Sequence, residues 1–110
     1  PEESILDLCK ELNIGFVAYS PIGRGFFTGK IKSTQKLDPT DFRRFLPRFQ
    51  KENLEHNFKI VKILEEMAQR KNCKPSQLAL AWVMAQRDYL VPLFGTTRPE
   101  HLTEYLRSLD

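Results

Sequence analysis

The chain has 110 residues, a length that suits one domain and lets folding bury about two thirds of the surface that the unfolded chain exposes. Hydrophobic residues make up 41% and charged residues 28%, which excludes the composition of an intrinsically disordered chain. The net charge of +3 at pH 7 is small, so we expect a phosphate-bearing small ligand and no nucleic acid.

The two cysteines, Cys9 and Cys73, stand alone, with no CxxC and no histidine at metal-binding spacing. We therefore expect reduced thiols, no bound metal and a cytoplasmic protein. No apolar run approaches the roughly 18 residues of a membrane helix, so no contact with a membrane is expected. The chain begins at Pro1 and not at Met, and we expect that it belongs to something longer.

The first predicted elements are a helix over residues 2–12 and a strand over residues 14–19. Ile5, Leu8 and Leu12 recur at helical spacing with charged residues between them, which is the pattern of an amphipathic helix. The run that follows is almost entirely apolar, as in a strand that is buried on both faces of a parallel sheet.

Residues 21–53 contain many Pro and Gly residues and no sustained period, which predicts a long loop with a helical turn near residues 41–45. Loops of this length inside a compact domain tend to be lids, binding loops or disordered segments. Five phenylalanines indicate that this loop packs on something: Phe26, Phe27, Phe42, Phe45 and Phe49.

Apolar residues repeat with the helical period over residues 54–70, which predicts a second helix. Pro75 begins a third helix, which should be well buried because apolar residues surround most of its axis. Residues 89–94 predict a second buried strand. The last helix begins at a Ser/Thr-x-x-Glu sequence, in which Thr97 and Glu100 are expected to cap each other's backbone amides.

The element order is helix, strand, long loop, two helices, strand, helix, which predicts an α/β fold. Two parallel strands by themselves leave both hydrogen-bonding edges open. The order is that of the last portion of a (β/α) barrel, with two short strands and about four helices. We expect that the two strands of this chain alone do not pair as in a barrel unless another chain or a swapped segment covers them.

A first candidate site begins at Tyr19, at the carboxyl end of the first strand, where barrel enzymes place their active sites. Gly23 and Gly25 let backbone amides approach an anion, and Ser20 and Arg24 supply further donors. Tyr19 offers a flat face for a ring. The same composition also fits an ordinary glycine-rich turn.

A second candidate site covers residues 95–98 and continues to His101 and Glu104 on the last helix. Free amides at a helix N-terminus, two hydroxyls and Arg98 together attract phosphate. The segment alone also fits a capped helix with no ligand. The loops after the last two strands are the usual phosphate site of a barrel, which favours the binding hypothesis.

Four segments resemble the aldo/keto reductase family: IGFVAYSPIGRGFFTGK, DFRRFLPRF with NLEHN, PSQLALAWVMAQ and VPLFGTTRPEHL. They are similar to the perakine-reductase-like and auxin-induced-protein-like branch, and the resemblance covers essentially the whole chain. It implies a TIM barrel that binds NADP(H) and reduces aldehydes or ketones by hydride transfer. Residues 1–110 would then be the C-terminal cofactor-binding part of one barrel, with the N-terminal two thirds outside this chain.

The resemblance assigns the first candidate site to the nicotinamide and pyrophosphate. Tyr19 corresponds to the aromatic residue that stacks on the nicotinamide. The turn that holds the pyrophosphate is matched by Ser20, Ile22, Gly23 and Arg24.

The resemblance assigns the second candidate site to the adenosine end of the cofactor. Thr97, Arg98 and His101 match positions that hold the 2'-phosphate and ribose, and Glu104 matches an acid that contacts adenine. Tyr105 departs from the pattern, since the family usually has Asn there.

The catalytic tetrad of the family is Asp, Tyr, Lys and His, and all four lie on earlier strands and loops. His56 stands beside a helix start and is expected on the surface, so no catalytic residue is assigned to this chain. Lys74 replaces the Thr or Ser that the family usually has before the proline, which removes a helix cap.

Three functional hypotheses follow. The chain is the cofactor-binding part of an NADPH-dependent reductase of small carbonyl compounds, a non-enzymatic NADP-binding partner protein on the same fold, or an inactive fragment that self-associates or swaps segments. The sequence upstream of Pro1 decides the second, and an intact mass near 12.9 kDa would favour the third.

Overall fold

The computed structural model describes residues 1–109 and contains, within them, four α-helices and two β-strands. In chain order these are α1 (Ile5–Glu11), β1 (Phe16–Tyr19), α2 (Lys51–Arg70), α3 (Pro75–Met84), β2 (Leu90–Leu93) and α4 (Pro99–Leu106). The predicted α/β element order is confirmed. Both strands are shorter than predicted, and α2 begins three residues earlier than the expected residue 54.

The two strands pair in parallel, with Phe16 opposite Leu90 at one end of the sheet. Beyond the other end, the N–H of Ser20 donates to the carbonyl of Leu93 at 3.2 Å. The expectation that the strands of this chain alone do not pair is therefore wrong. The crossover through α2 and α3 returns β2 beside β1, so the ladder hydrogen bonds form without another chain.

Only one face of this two-stranded sheet is covered. Side chains alternate between the faces along each strand, and on the covered side Leu90 is buried. The other face exposes 53% to 72% of four side chains: Val17, Tyr19, Val91 and Leu93. The prediction of strands buried on both faces is thus wrong for this chain, because no element within residues 1–109 covers the second face.

The long connection between β1 and α2 holds the main hydrophobic core. It contains four short 3-10 helices: Phe26–Thr28, Thr34–Lys36, Phe42–Phe45 and Pro47–Phe49. The rings of Phe26 and Phe49 meet edge to face at 5.9 Å, and Leu54 and Val61 of α2 complete the buried cluster with Ile31.

The predicted packing of the loop phenylalanines is confirmed for Phe26 and Phe49, which are 4% and 0% exposed. Phe42 and Phe45 of the same loop are 53% and 75% exposed. The predicted helical turn near residues 41–45 is confirmed.

Helix α3 contacts α2, α4 and β2 but is less buried than predicted. Leu80 is fully buried, whereas Trp82 on the same helix is 58% exposed. A helix with apolar residues on most of its surface needs neighbours on every side. Within the described residues the neighbours of α3 leave Trp82 mostly uncovered.

The described part of the chain holds no helix that is both long and apolar enough to cross a bilayer. Over the same residues no three His, Cys, Asp or Glu side chains gather as metal ligands. Cys9 and Cys73 are free thiols.

Phe49→Ala should lower the free energy of unfolding by about 3–5 kcal/mol, because it removes a large ring from a fully packed site. Phe45→Ala is the matched control, since that ring lies mostly in solvent and its loss should change stability by less than about 0.5 kcal/mol. Urea unfolding of the full-length protein measures both. Equal effects of the two substitutions would contradict the assigned core.

Candidate functional site

The carboxyl ends of β1 and β2 open onto one cavity of about 1330 Å³. The parallel register places the segment after β1 beside the segment after β2. Seven of the nine predicted cofactor residues line this cavity: Tyr19, Ser20, Ile22, Arg24, Thr97, His101 and Glu104. The other two are not part of its wall: Gly23 is buried, and Arg98 is exposed at the N-cap of the last helix.

The turn after β1 is built from left-handed backbone conformations. Ser20, Gly23 and Arg24 have φ angles of 57°, 59° and 58°. The N–H of Gly23 donates to the carbonyl of Ser20 at 2.9 Å, and the N–H of Gly25 donates to that of Ile22 at 3.2 Å. The amides of Gly23 and Gly25 therefore close the turn itself.

Two other amides of this turn have no acceptor within residues 1–109, those of Ile22 and Arg24. The Ile22 side chain is 6% exposed and packs with Leu80 and Tyr105. Ile22 can therefore serve a ligand only through its backbone, while its side chain anchors the turn to α3 and α4.

The segment at residues 41–43 holds the turn in place from the other side. The Arg24 guanidinium lies 4.9 Å from the centre of the Phe42 ring and 5.9 Å from that of Tyr19. Arg43 Nη1 donates to the Arg24 carbonyl at 3.1 Å. Asp41 fixes Arg43 through two contacts, Nε to Oδ1 at 2.9 Å and Nη2 to Oδ2 at 2.5 Å.

Sequence reasoning missed this segment as part of the site. Asp41, Phe42 and Arg43 line the cavity, whereas in the sequence they stood out only as a helical turn and as part of the segment DFRRFLPRF. Hydrogen bonds from the Arg43 side chain and backbone lower the pKa of Asp41 from 3.8 to about 2. The carboxylate is therefore ionised at neutral pH and keeps Arg43 on the turn.

The segment after β2 begins α4 one residue later than the predicted capping box requires. Arg98 is the N-cap residue, and its N–H donates to the Thr96 hydroxyl at 3.2 Å. The predicted cap between Thr97 and Glu100 is therefore wrong. The Thr97 residue instead lines the cavity, and its hydroxyl has no hydrogen-bond partner within the described residues.

Glu104 joins α4 to the start of α3. Its carboxylate accepts hydrogen bonds from Lys74 Nζ at 2.6 Å and from the Ser76 hydroxyl at 2.9 Å, and Gln77 Nε2 donates to its carbonyl at 2.8 Å. Partial burial raises the pKa of Glu104, but the bonds from Lys74 and Ser76, with the charges of Lys74 and His101, lower it overall. Glu104 thus stays ionised and paired.

Two departures from the resemblance have clear structural roles. Tyr105 is 6% exposed, and its ring packs edge to face on Phe94 at 4.9 Å, so it belongs to the core under the cavity. Gln77 Oε1 accepts the Lys74 N–H at 2.8 Å, which is the half of a capping box that does not require the missing hydroxyl.

The sequence matches the family model "Aldo/keto reductase family" over residues 1–110. The chain belongs to the aldo/keto reductase family. It is 44% identical over 109 residues to "Aldo-keto reductase yakc [NADP(+)]" of Schizosaccharomyces pombe, covering 99% of this chain and 32% of that protein. The chain therefore spans about a third of the length of this relative.

Solved structures of this family are similar in fold. The chain superimposes with a TM-score of 0.82 and 26% identity on the glycerol dehydrogenase AKR11B4 from Gluconobacter oxydans, over 94% of this chain and 32% of that one. A thermostable aldo-keto reductase, Tm1743, in complex with the inhibitor epalrestat gives a TM-score of 0.57 and 25% identity over 98% and 28% of the two chains. The predicted fold class, part of an aldo/keto reductase barrel, is confirmed.

Arg43→Met should raise the Asp41 pKa from about 2 toward its ordinary 3.8, because Arg43 supplies the bonds that favour the carboxylate. Because the folded pKa is depressed, the pair stabilises the protein fully above about pH 4, and this is lost as pH falls through about 2. Carboxyl NMR titration measures the shift. Arg44→Met is the control and should raise the Asp41 pKa less, because Arg44 acts only through its charge. An unchanged Asp41 pKa in Arg43→Met would contradict the assigned pairing of Asp41 with Arg43.

Proposed function

We propose that this chain is the cofactor-binding part of a reductase that transfers a hydride from NADPH to the carbonyl carbon of an aldehyde or ketone. Support comes from family membership, from a relative named for NADP(+), and above all from the single cavity shared by the segments after β1 and β2. Residues 1–110 would form the C-terminal part of the barrel, and the catalytic tetrad would lie outside the chain.

The chemistry of the cavity fits a dinucleotide with several phosphates. Three cationic side chains stand in its wall, Arg24 and Lys30 from the connection after β1 and Lys74 at the N-cap of α3. Apolar side chains lie between them, including Leu93 and Phe94. A largely apolar pocket with a few convergent polar groups is the usual form of a cofactor site.

The turn after β1 suits the nicotinamide and pyrophosphate. Tyr19 is 72% exposed, so its ring offers surface for stacking beside the Arg24 guanidinium. The unpaired amides of Ile22 and Arg24, with the Ser20 hydroxyl, would donate to the pyrophosphate. Gly23 contributes the left-handed backbone of the turn and no donor of its own.

The start of α4 suits the adenosine end. Thr97 and His101 line the cavity, and Arg98 lies at the N-cap of α4, where the helix dipole favours negative charge. We propose that these three residues hold the 2'-phosphate and that Glu104 faces the adenine. The bound cofactor supplies the hydride, and the residues of this chain bind and orient it.

Finer assignments stay predictions. These are membership of the perakine-reductase-like or auxin-induced-protein-like branch, a cytoplasmic location, and a lack of nucleic-acid and membrane partners. The substrate pocket would be built mainly by segments outside this chain, so only the class of substrate, a small carbonyl compound, is proposed.

The proposal is tested by following NADPH oxidation by the full-length protein with a panel of aldehydes and ketones. Oxidation that depends on the carbonyl compound is expected. NADPH binding without turnover on any member would favour the non-enzymatic partner protein. Failure to bind NADPH, measured by nicotinamide fluorescence, would contradict the proposed function altogether.

Arg98→Ala should weaken NADPH binding about tenfold and change NADH binding little, because only NADPH offers a 2'-phosphate for a charge-assisted hydrogen bond. Fluorescence titration of the full-length protein with both cofactors measures the difference. Arg107→Ala, beyond the other end of α4, removes the same charge away from the cavity and should leave both affinities unchanged. Equal losses for NADPH and NADH in Arg98→Ala would remove the 2'-phosphate assignment.

A further inference from the structure

We propose that Lys74 determines cofactor specificity by neutralising Glu104, so that the cavity accepts the 2'-phosphate of NADPH. The inference rests on the proposed function and adds to it a residue for which the resemblance gives no role. Lys74 would not have to touch the cofactor, because its effect passes through the carboxylate that it pairs.

The geometry brings an acid and a base together inside the cavity wall. Lys74 Nζ lies 2.6 Å from Glu104 Oε2, and both residues line the cavity. The Glu104 side chain is only 16% exposed, whereas that of Lys74 is 64% exposed. Glu104 follows His101 by three residues on α4, which places both on the same face of the helix.

The Glu104 carboxylate lies one helical turn from His101, which is proposed to hold the 2'-phosphate. An unpaired carboxylate there would repel the 2'-phosphate of NADPH and would accept a hydrogen bond from the 2'-hydroxyl of NADH. A phosphate monoester carries nearly two negative charges at neutral pH. An unpaired carboxylate nearby would repel it and weaken NADPH binding, and this repulsion is stronger because the site is partly shielded from water. In a different fold, the Rossmann fold, an acidic residue near the ribose binds the free 2'-hydroxyl of NAD, which shows the same chemical preference. Lys74 removes the net charge of Glu104 and with it this bias against NADPH.

The charge of Lys74 can be removed without detaching α4 from α3. Ser76 and Gln77 hold Glu104 independently, through its carboxylate at 2.9 Å and its carbonyl at 2.8 Å. The bond from the Lys74 N–H to Gln77 is a backbone contact that survives any side-chain substitution except proline. Lys74→Met therefore isolates the charge from the packing.

The experiment measures dissociation constants of NADPH and NADH by fluorescence titration of the full-length protein. In Lys74→Met the preference for NADPH over NADH should fall about fivefold at low salt, and less at about 0.5 M salt, where screening is stronger. In the double variant Lys74→Met, Glu104→Gln the preference should return to within about twofold of the wild type, since no charge is left to neutralise.

Two further variants complete the design. Lys71→Met removes the same charge at the exposed C-cap of α2, outside the cavity wall, and should leave the preference unchanged. Lys74→Arg keeps the charge and should retain the preference for NADPH. If Lys74→Met does not fold, Lys74→Gln is measured instead, with the same expectation.

The charge argument is overturned if the double variant has the same reduced preference for NADPH as Lys74→Met, since only a structural role of Lys74 predicts that result. It is also overturned if Lys71→Met shifts the preference equally, or if wild type and Lys74→Met share one preference. A wild type that binds no NADPH overturns the proposed function and this inference together. Wild-type binding with an unchanged preference in Lys74→Met overturns this inference alone.

Discussion

The parallel pairing of β1 with β2 is the constraint on which the rest of the structure depends. Parallel strands end at the same edge of a sheet, so the in-register ladder from Phe16–Leu90 to Tyr19–Leu93 brings together two segments that lie over 70 residues apart. Without this pairing the turn after β1 and the start of α4 would be two unrelated weak sites. With it they become two walls of one cavity, which is what a long cofactor needs.

The connection between the strands does more than link them. Its buried rings, Phe26 and Phe49, form the core with α2, while its exposed part returns to the turn through Arg43 and Phe42. One segment is thus both core and cavity wall. A long loop of this kind stays ordered because its aromatic residues bury enough surface to offset the entropy of fixing the chain.

The uncovered surfaces agree with a chain that matches about a third of the length of its relatives. One whole face of the sheet and Trp82 on α3 expose large apolar side chains. Contiguous apolar surface of this kind usually contacts other protein. The cavity, in contrast, lies between segments that contact each other within this chain, as at Glu104, whose carboxylate binds Lys74 and Ser76.

The sequence by itself predicted the element order and two candidate binding segments, because periodicity and local turn composition are properties of neighbouring residues. Its motifs also resembled the family to which the chain belongs. It did not determine where α4 begins, since the N-cap residue is Arg98 and not Thr97, and the Thr96 hydroxyl accepts the Arg98 N–H. It also did not show that the Gly23 N–H donates to the Ser20 carbonyl within the turn, or that Lys74 pairs with Glu104. These contacts join residues whose proximity depends on how α3, α4 and the sheet pack, and only the tertiary structure decides that.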